Sequence, residues 1–252
     1  MLIDLFKSKK KAVPQTEKSF NDDFIDIHSH ILPGIDDGAK TTEHSLELLA
    51  SMRKLGIRNF IFTPHVIQSV WENSTENILS TFNELKAVVA QNPSLNDIQI
   101  RVAAEYMMDE NFHKLLQHND LLPVHENKIL VEMSYLAPPA NLYETLSEIQ
   151  YKGFIPILAH PERYKSYHKD LTAYEKLKDA GCLFQVNMIS LTNYYGKSVH
   201  ESAVWLIRNN MIDFTGSDLH HTRHMAQINS LAVRGQMMEL LAPIIENNRI
   251  LR

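Results

Sequence analysis

Short apolar runs alternate along the chain with longer stretches in which apolar residues recur every three or four positions. Most of the short runs are nearly continuous, as is typical of strands buried on both faces of a parallel sheet. Seven runs follow this pattern, and the strands that they predict are Phe24 to His28, Asn59 to Thr63, Ile98 to Ala103, Ile129 to Met133, Ile155 to Ala159, Leu183 to Asn187 and Ile212 to Thr215. Repeated strand–helix units of this kind predict an α/β fold with a parallel sheet.

The stretches between these runs predict amphipathic helices. Before the second strand, Leu48, Met52 and Leu55 fall on one face, and Gly56 is expected to end the helix. Equivalent apolar stripes are Ile78, Phe82 and Leu85, then Leu142, Leu146 and Ile149, then Val204, Ile207 and Met211. These stripes predict helices that pack against the sheet.

The pattern predicts one (β/α) barrel domain over residues 23–252, because no linker rich in Pro, Gly or Ser divides it. Residues 1–22 precede the first strand and are interpreted as an N-terminal tail. Their basic residues Lys7 to Lys11 follow a short mixed stretch, which is the wrong order for a secretory signal. A mobile tail is the favoured interpretation, and a peripheral contact with a membrane or partner is the alternative.

Composition narrows the classes of protein that remain. The chain has 252 residues and a net charge of −5, which disfavours a nucleic-acid partner. Cys182 is the single cysteine, so an internal disulfide is excluded, and no apolar run approaches the length of a transmembrane helix. We therefore expect a cytoplasmic protein without a transmembrane segment.

Residues of the types that bind metals follow five of the seven predicted strands. Because the carboxyl ends of parallel barrel strands converge on one face, side chains that are far apart in sequence are expected to meet there. The candidates are His28, His30, Asp37, His65, Glu105, His160, Asp218 and His220. This joint placement predicts a metal centre, although each histidine taken alone would be a weak signal.

Three features of these residues favour adjacent metal ions. The pairs His28 with His30 and Asp218 with His220 are each two positions apart, so both members can point to the same side of extended chain. Glu105 can bridge two cations through its two oxygens. Mixed nitrogen and oxygen ligands suit Mn²⁺, Fe²⁺ or Zn²⁺ better than Mg²⁺. Two adjacent ions can activate a hydroxide for attack on phosphorus without a covalent intermediate.

Arginines near the predicted centre favour a phosphate ester as the substrate. Arg163 follows His160 by three residues, and its planar guanidinium can hold a non-ester phosphate oxygen. Arg223 lies just past the last ligand pair and is a second candidate for substrate binding. For Arg163 the alternative is a structural ion pair, and for Arg223 it is a place on a helix surface.

Several motifs resemble those of the PHP (polymerase and histidinol phosphatase) superfamily, and more closely its bacterial manganese-dependent protein-tyrosine phosphatases of capsule and exopolysaccharide synthesis. The motifs are Asp26-Ile27-His28-Ser29-His30, Thr63-Pro64-His65, Ala104-Glu105, Ala159-His160-Pro161-Glu162-Arg163 and Ser217-Asp218-Leu219-His220, and the similarity spans residues 24 to about 235.

The resemblance implies a distorted, TIM-like (β/α)7 barrel with two or three divalent metal ions, Mn²⁺ first among them. It implies that His28, His30, Glu105 and Asp218 hold one ion. It implies that His65 and His160 share the others with Glu105, Asp37 and His220. Arg163, Glu105 and Asp37 would be catalytic, with Arg163 and Arg223 binding substrate. The implied substrate is a phosphotyrosine protein, a membrane-associated bacterial tyrosine kinase above all.

Three other interpretations compete with this one. A cysteine-nucleophile phosphatase is excluded, because Met188 stands where a Cys-x5-Arg motif that starts at Cys182 needs arginine. A small-molecule phosphatase, such as histidinol-phosphate phosphatase, would use the same metals, and a non-catalytic binding protein on the same scaffold would lack them.

Trp71 or Tyr135 could flank an aromatic substrate ring, and Glu132 or Asn187 could support the ligands from behind.

Overall fold

The computed structural model describes residue 20 and residues 23–252. The predicted tail, residues 1–22, therefore lies outside the described residues except for Phe20. Phe20 is buried, its ring stacks on Phe24 with centroids 5.2 Å apart, and its amide donates to the carbonyl of Leu55. The packed part of the chain thus includes at least one residue that was assigned to the tail.

Nine parallel strands form the sheet in the described part of the chain. They are β1 (Ile25–Asp26), β2 (Asn59–Phe62), β3 (His65–Val66), β4 (Gln99–Val102), β5 (Glu105–Met107), β6 (Lys128–Glu132), β7 (Ile155–Ala159), β8 (Leu183–Asn187) and β9 (Phe214–Gly216). Strand order is β1-β2-β4 in one part and β3-β5-β6-β7-β8-β9 in the other.

The nine strands occupy seven positions, because the second and third predicted strands end at two-residue breaks, beyond which the chain continues as β3 and β5. Thr63 and Pro64 separate β2 from β3, and Pro64 has no N–H to give to a sheet ladder. Ala103 and Ala104 separate β4 from β5 at the same level. The amide of Ala103 donates to the carbonyl of Phe62 at 2.8 Å, so the two strand positions stay paired across the breaks.

Eight α-helices connect or follow these strands within residues 23–252. They are α1 (Thr42–Lys54), α2 (Thr75–Gln91), α3 (Glu110–His118), α4 (Leu142–Tyr151), α5 (Thr172–Asp179), α6 (Lys197–Arg208), α7 (Thr222–Ala232) and α8 (Gly235–Asn247). Short 3₁₀ turns cover Pro161–Arg163, Lys165–Tyr167, Met188–Thr192 and Asn248–Leu251. None of the helices in the described ranges is both long and apolar enough to cross a membrane.

Helix α1 illustrates how the sequence specifies these elements. The Thr41 hydroxyl caps its N-terminus by accepting from the amide of His44 at 3.3 Å. Its buried face presents Leu48, Leu49 and Met52, as the apolar spacing predicts.

Two apolar clusters pack against the sheet, one on each side of it. The larger one joins the buried helix faces to the outer side of the strands. The smaller one contains strand residues such as Ile61, Leu130 and Ile157 together with Leu251, but no residue of a described α-helix, which places it inside the curl of the sheet. The predicted barrel is confirmed.

Residues next to the first and last strands meet along a seam that brings the two ends of the sheet together. Ser29 and Leu219 form a parallel bridge, and the amide of Asp218 donates to the carbonyl of His28 at 2.8 Å. Between β1 and β9, the side chain of Asn248 makes hydrogen bonds to the backbone of both strands. Its Nδ2 donates to the carbonyls of Ile25 and Thr215 at 2.8 and 2.6 Å, and its Oδ1 accepts from the amide of Thr215 at 3.0 Å.

We predict that Asn248→Leu lowers the free energy of unfolding by about 2–4 kcal/mol, since it removes three hydrogen bonds and leaves buried backbone groups unpaired. Urea denaturation of the metal-free protein measures this change. The matched control is Asn247→Leu at the exposed neighbouring position. Equal unfolding midpoints for the two variants would show that Asn248 does not hold the seam.

Candidate metal centre

The structure brings the eight predicted ligands together at the carboxyl ends of the strands. His28 and His30 follow β1, His65 begins β3, Glu105 begins β5, His160 follows β7, and Asp218 and His220 follow β9. Six of the eight are buried, whereas His220 is partly buried and Asp37 is exposed at the mouth of a cavity. The convergence that the strand ends predict is therefore present.

The first group contains His28, His30, Glu105 and Asp218. The Nε2 atoms of the two histidines are 3.2 Å apart, and each lies 3.3–3.5 Å from Glu105 Oε2 and from Asp218 Oδ1. Ligands at the distances typical of zinc, arranged tetrahedrally, are separated by roughly 3.3–3.6 Å. The spacing of these atoms therefore fits one divalent ion.

The second group contains His65, Glu105 and Glu132, with His160 beside it. His65 Nδ1 lies 3.0 Å from both Glu105 Oε2 and Glu132 Oε1, and His160 Nε2 lies 3.1 Å from Glu105 Oε1. Glu105 thus presents one oxygen to His160 and the other to His65 and the first group. Its position between the groups is the one that a bridging carboxylate needs.

The buried polar atoms of the second group support a metal more directly. His65 Nδ1, Glu105 Oε2 and Glu132 Oε1 are buried and have no hydrogen-bond partner among the described residues. Such atoms are rare in folded proteins, because each costs free energy unless a hydrogen bond or an ion satisfies it. The three residues also form one of the groups whose side chains are close enough together to hold an ion.

The third group lies nearest the solvent and contains His30, Asp37, His65 and His220. Asp37 Oδ1 lies 3.3 Å from His220 Nε2 and 3.6 Å from His65 Nε2. The rings of His30 and His220 stack with centroids 3.9 Å apart. A third ion could bind here, on the cavity side of the other two groups.

Hydrogen bonds from behind orient three of these histidines. Nδ1 of His30 contacts Asp36 Oδ2 at 2.8 Å, and Nδ1 of His28 contacts Gln185 Oε1 at 2.7 Å. Nδ1 of His220 contacts the carbonyl of Asp218 at 2.9 Å. Metal-binding histidines usually have such a contact, which fixes the tautomer and leaves Nε2 for the metal.

Glycine and strained backbone allow the ligands to approach each other. A Cβ added to Gly216 would lie 2.5 Å from His28 Cβ, so only glycine fits beside this ligand. His160 and Asp218 adopt left-handed backbone conformations, with φ of 36° and 51°. Non-glycine residues in this region cost roughly 1 kcal/mol or more, and such strain is concentrated at functional sites.

Charges in the cluster hold its carboxylates in the ionised form. Burial by itself raises the pKa of Glu105, but His28 and His65 outweigh burial and hold that pKa well below its usual range. Burial by itself lowers the pKa of His65, but Glu105 and Glu132 outweigh it and raise the pKa to about 10. In the absence of metal, protonated histidines balance these anionic oxygens, and a bound cation would replace the protons, because a histidine that binds metal is neutral.

The cavity above the ligands also contains Arg163, whose Nη1 donates to Asp218 Oδ2 at 2.9 Å. Its wall includes Trp71, which stacks on His65 with centroids 4.8 Å apart, and Tyr135. Arg223 is exposed on α7 and is absent from the residues that line this cavity. The predicted role of Arg223 in substrate binding therefore stays a prediction.

A parallel barrel that gathers histidines and carboxylates at the carboxyl ends of its strands is an architecture suited to holding adjacent metal ions. The chain belongs to the CpsB/CapC family of capsular polysaccharide synthesis, whose model matches residues 24–233. The resemblance that the motifs predicted is confirmed.

Two proteins similar in sequence to this chain are named tyrosine-protein phosphatases. The tyrosine-protein phosphatase YwqE of Bacillus subtilis is 30% identical over 203 residues, which cover 79% of this chain and 78% of that protein. The tyrosine-protein phosphatase CpsB of Streptococcus pneumoniae is 27% identical, covering 78% of this chain and 83% of that protein.

The comparison of structures agrees with the comparison of sequences. A solved structure described as YwqE from Bacillus subtilis and CpsB from Streptococcus pneumoniae, "unique metal-dependent tyrosine phosphatases", has a TM-score of 0.80 and 27% identity, covering 90% of this chain and 93% of that chain. A histidinol phosphate phosphatase from Lactococcus lactis has a TM-score of 0.52 at 12% identity, which indicates a shared fold alone.

Glu132 is the main site residue that was absent from the predicted ligands. It ends β6 and is almost fully buried. The signal was a carboxylate at the end of an apolar strand, which is the same signal that identified Glu105. Gln185 and Asn187 on β8 contact His28 and Asp218, but neither residue type is a common metal ligand.

We predict that Glu132→Gln lowers the amount of bound metal and leaves the fold intact, since the amide keeps the size of the side chain and loses its charge. Elemental analysis of the purified protein measures the loss. Glu144→Gln, on the exposed side of α4, is the matched control. Metal content equal to that of the control would exclude Glu132 as a ligand.

Proposed function

We propose that this chain is a metal-dependent tyrosine-protein phosphatase that acts in capsular polysaccharide synthesis. Family membership and the names of the relatives support both parts of the proposal. The observation that carries it is that Arg163 lines one cavity, at the carboxyl ends of the strands, together with the proposed ligands Asp37, His65, Glu132, His160, Asp218 and His220.

The residues present fit two or three divalent ions. His28, His30, Glu105 and Asp218 would hold one ion, and His65, Glu105, Glu132 and His160 would hold a second. Asp37 and His220 would hold a third with help from the neighbouring histidines. Bound ions would supply positive charge to the phosphoryl oxygens. They would also lower the pKa of a bound water molecule to near neutrality. Mixed histidine and carboxylate ligands suit Mn²⁺, Fe²⁺ or Zn²⁺, and the resemblance of the motifs puts Mn²⁺ first among them.

The protein's own groups bind and orient the phosphoryl group. The Arg163 guanidinium faces the cavity and can donate two parallel hydrogen bonds to phosphate oxygens. Glu105 holds the two inner ligand groups at a fixed separation through its two oxygens. Asp37, at the cavity mouth beside His220, is the one partly exposed carboxylate among the proposed ligands and is positioned to contact the reacting water.

Selectivity for phosphotyrosine would follow from the depth of the ligands. His28, His30 and Glu105 are fully buried below the cavity mouth, so a long aromatic side chain reaches them more easily than phosphoserine does. The indole of Trp71, already stacked on His65, offers an apolar face beside that path. The substrate would be a phosphotyrosine protein, and we propose a membrane-associated tyrosine kinase that meets this enzyme in the cytoplasm.

We expect the Mn²⁺-loaded protein to hydrolyse phosphotyrosine peptides and to leave phosphoserine peptides largely intact, and we expect a chelator to abolish this activity. Arg163→Ala should lower kcat/KM by about 10²–10³, since it removes a donor to the phosphoryl group. Phosphate release from matched peptides measures both effects. Equal or faster turnover of histidinol phosphate would replace the proposal with a small-molecule phosphatase. Metal-free wild-type protein would indicate a binding module instead.

Cys182 provides a separate test of the reaction class. It is buried outside the cluster, and burial raises the pKa of its thiol to about 12, so little nucleophilic thiolate forms near neutral pH. We expect Cys182→Ala to keep kcat within about twofold of wild type, and we expect iodoacetamide not to inhibit the native enzyme. Loss of turnover in Cys182→Ala while the fold and bound metal are retained would contradict a metal-based reaction.

A further inference from the structure

The guanidinium of Arg163 lies between two tyrosine rings. Its central carbon is 4.5 Å from the ring centroid of Tyr135 and 4.3 Å from that of Tyr195. Tyr135 belongs to the segment after β6, and Tyr195 to the segment before α6, so two separate parts of the chain converge on one side chain. Both contacts are within the range of a cation–π interaction.

One edge of the same guanidinium is held by the ligand cluster. Nη1 of Arg163 donates to Asp218 Oδ2 at 2.9 Å, and that oxygen also accepts from Asn187 Nδ2 at 2.6 Å. The other oxygen of Asp218, Oδ1, faces His28 and His30. With two rings and one carboxylate oxygen in contact, the guanidinium keeps its remaining N–H groups for the cavity.

The two rings are themselves supported by neighbouring aromatic residues. Tyr135 stacks on Tyr164 with centroids 5.8 Å apart, and the Tyr164 hydroxyl accepts from the amide of Met133 at 3.0 Å. Tyr195 packs against Tyr194 with centroids 5.0 Å apart. A rotation of Arg163 would therefore have to displace rings that are fixed by other contacts.

We infer that Tyr135 and Tyr195 are positioning residues that hold Arg163 edge-on to the phosphoryl group. This inference rests on the proposed function, in which Arg163 contacts phosphate. A free arginine side chain loses rotational entropy when it binds an anion, whereas an arginine already clamped between two rings has lost most of that freedom beforehand. The clamp thus favours the binding of a phosphoryl group in substrate and in product.

The test compares Tyr135→Leu, Tyr135→Phe and, as the matched control, Tyr151→Leu in the manganese-loaded enzyme. Tyr135 is 42% exposed, so its replacement should be tolerated, and Tyr151 is 88% exposed at the far end of α4 from the cavity. We expect Tyr135→Leu to raise KM for para-nitrophenyl phosphate and the dissociation constant of inorganic phosphate by about tenfold, with a smaller effect on kcat. Tyr135→Phe and Tyr151→Leu should match wild type.

Three results would overturn the inference. In the first, Tyr135→Leu binds phosphate as wild type does. In the second, Tyr135→Phe is impaired as much as Tyr135→Leu, which would assign the effect to the hydroxyl 3.4 Å from His160 Nε2. In the third, Tyr135→Leu loses bound metal, which would make the ring a support of the ligand cluster. Tyr195→Leu and Tyr195→Phe provide a second pair at the other ring in contact with Arg163.

Failure of the proposed function would give a different result. Wild-type enzyme that does not cleave phosphotyrosine peptides would reject that function. Calorimetric binding of inorganic phosphate to the same set of variants would still decide whether the two rings position Arg163.

Discussion

The seam between the first and last strands is the constraint on which the rest of the site depends. His28 and His30 come from one side of it, and Asp218 and His220 from the other. The backbone hydrogen bonds from Asp218 to His28 and from His30 to Leu219 fix the register of the two ligand pairs. A shift by one residue would turn alternate side chains to the opposite face and separate the ligands. The centre therefore forms only when the sheet closes.

Glu105 also holds the cluster together, because its carboxylate contacts histidines from several strand ends. It is fully buried, which is costly for an ionised carboxylate unless positive charge surrounds it. Histidines from three strand ends contact its two oxygens, so its charge is compensated locally. A bound cation would complete this compensation. The fold thus places buried carboxylates where a metal would bind.

The strands and the convergence of most of the proposed ligands were predictable from the sequence, because buried parallel strands are nearly continuous apolar runs and their carboxyl ends share one face. Glu132 ends an apolar strand, but none of the motifs that resemble the family includes it, so its place beside His65 was not predicted. The continuation of the second and third strands as β3 and β5 was not predicted, because it depends on the pairing of neighbouring strands. The seam contacts of Asn248 and the rings around Arg163 join parts of the chain between 28 and 223 residues apart, and local patterns do not reveal such contacts.

The part of the chain that carries the chemistry differs from the part that forms the folding unit. The family match ends at residue 233 and includes every proposed ligand, whereas Asn248 lies beyond it. A domain boundary drawn from similarity alone would keep all the ligands and remove the side chain that joins β1 to β9. A chain without asparagine at this position would need some other group to satisfy the same backbone atoms. A change of sequence at the C-terminus would therefore have to replace the hydrogen bonds of Asn248 with another link between β1 and β9.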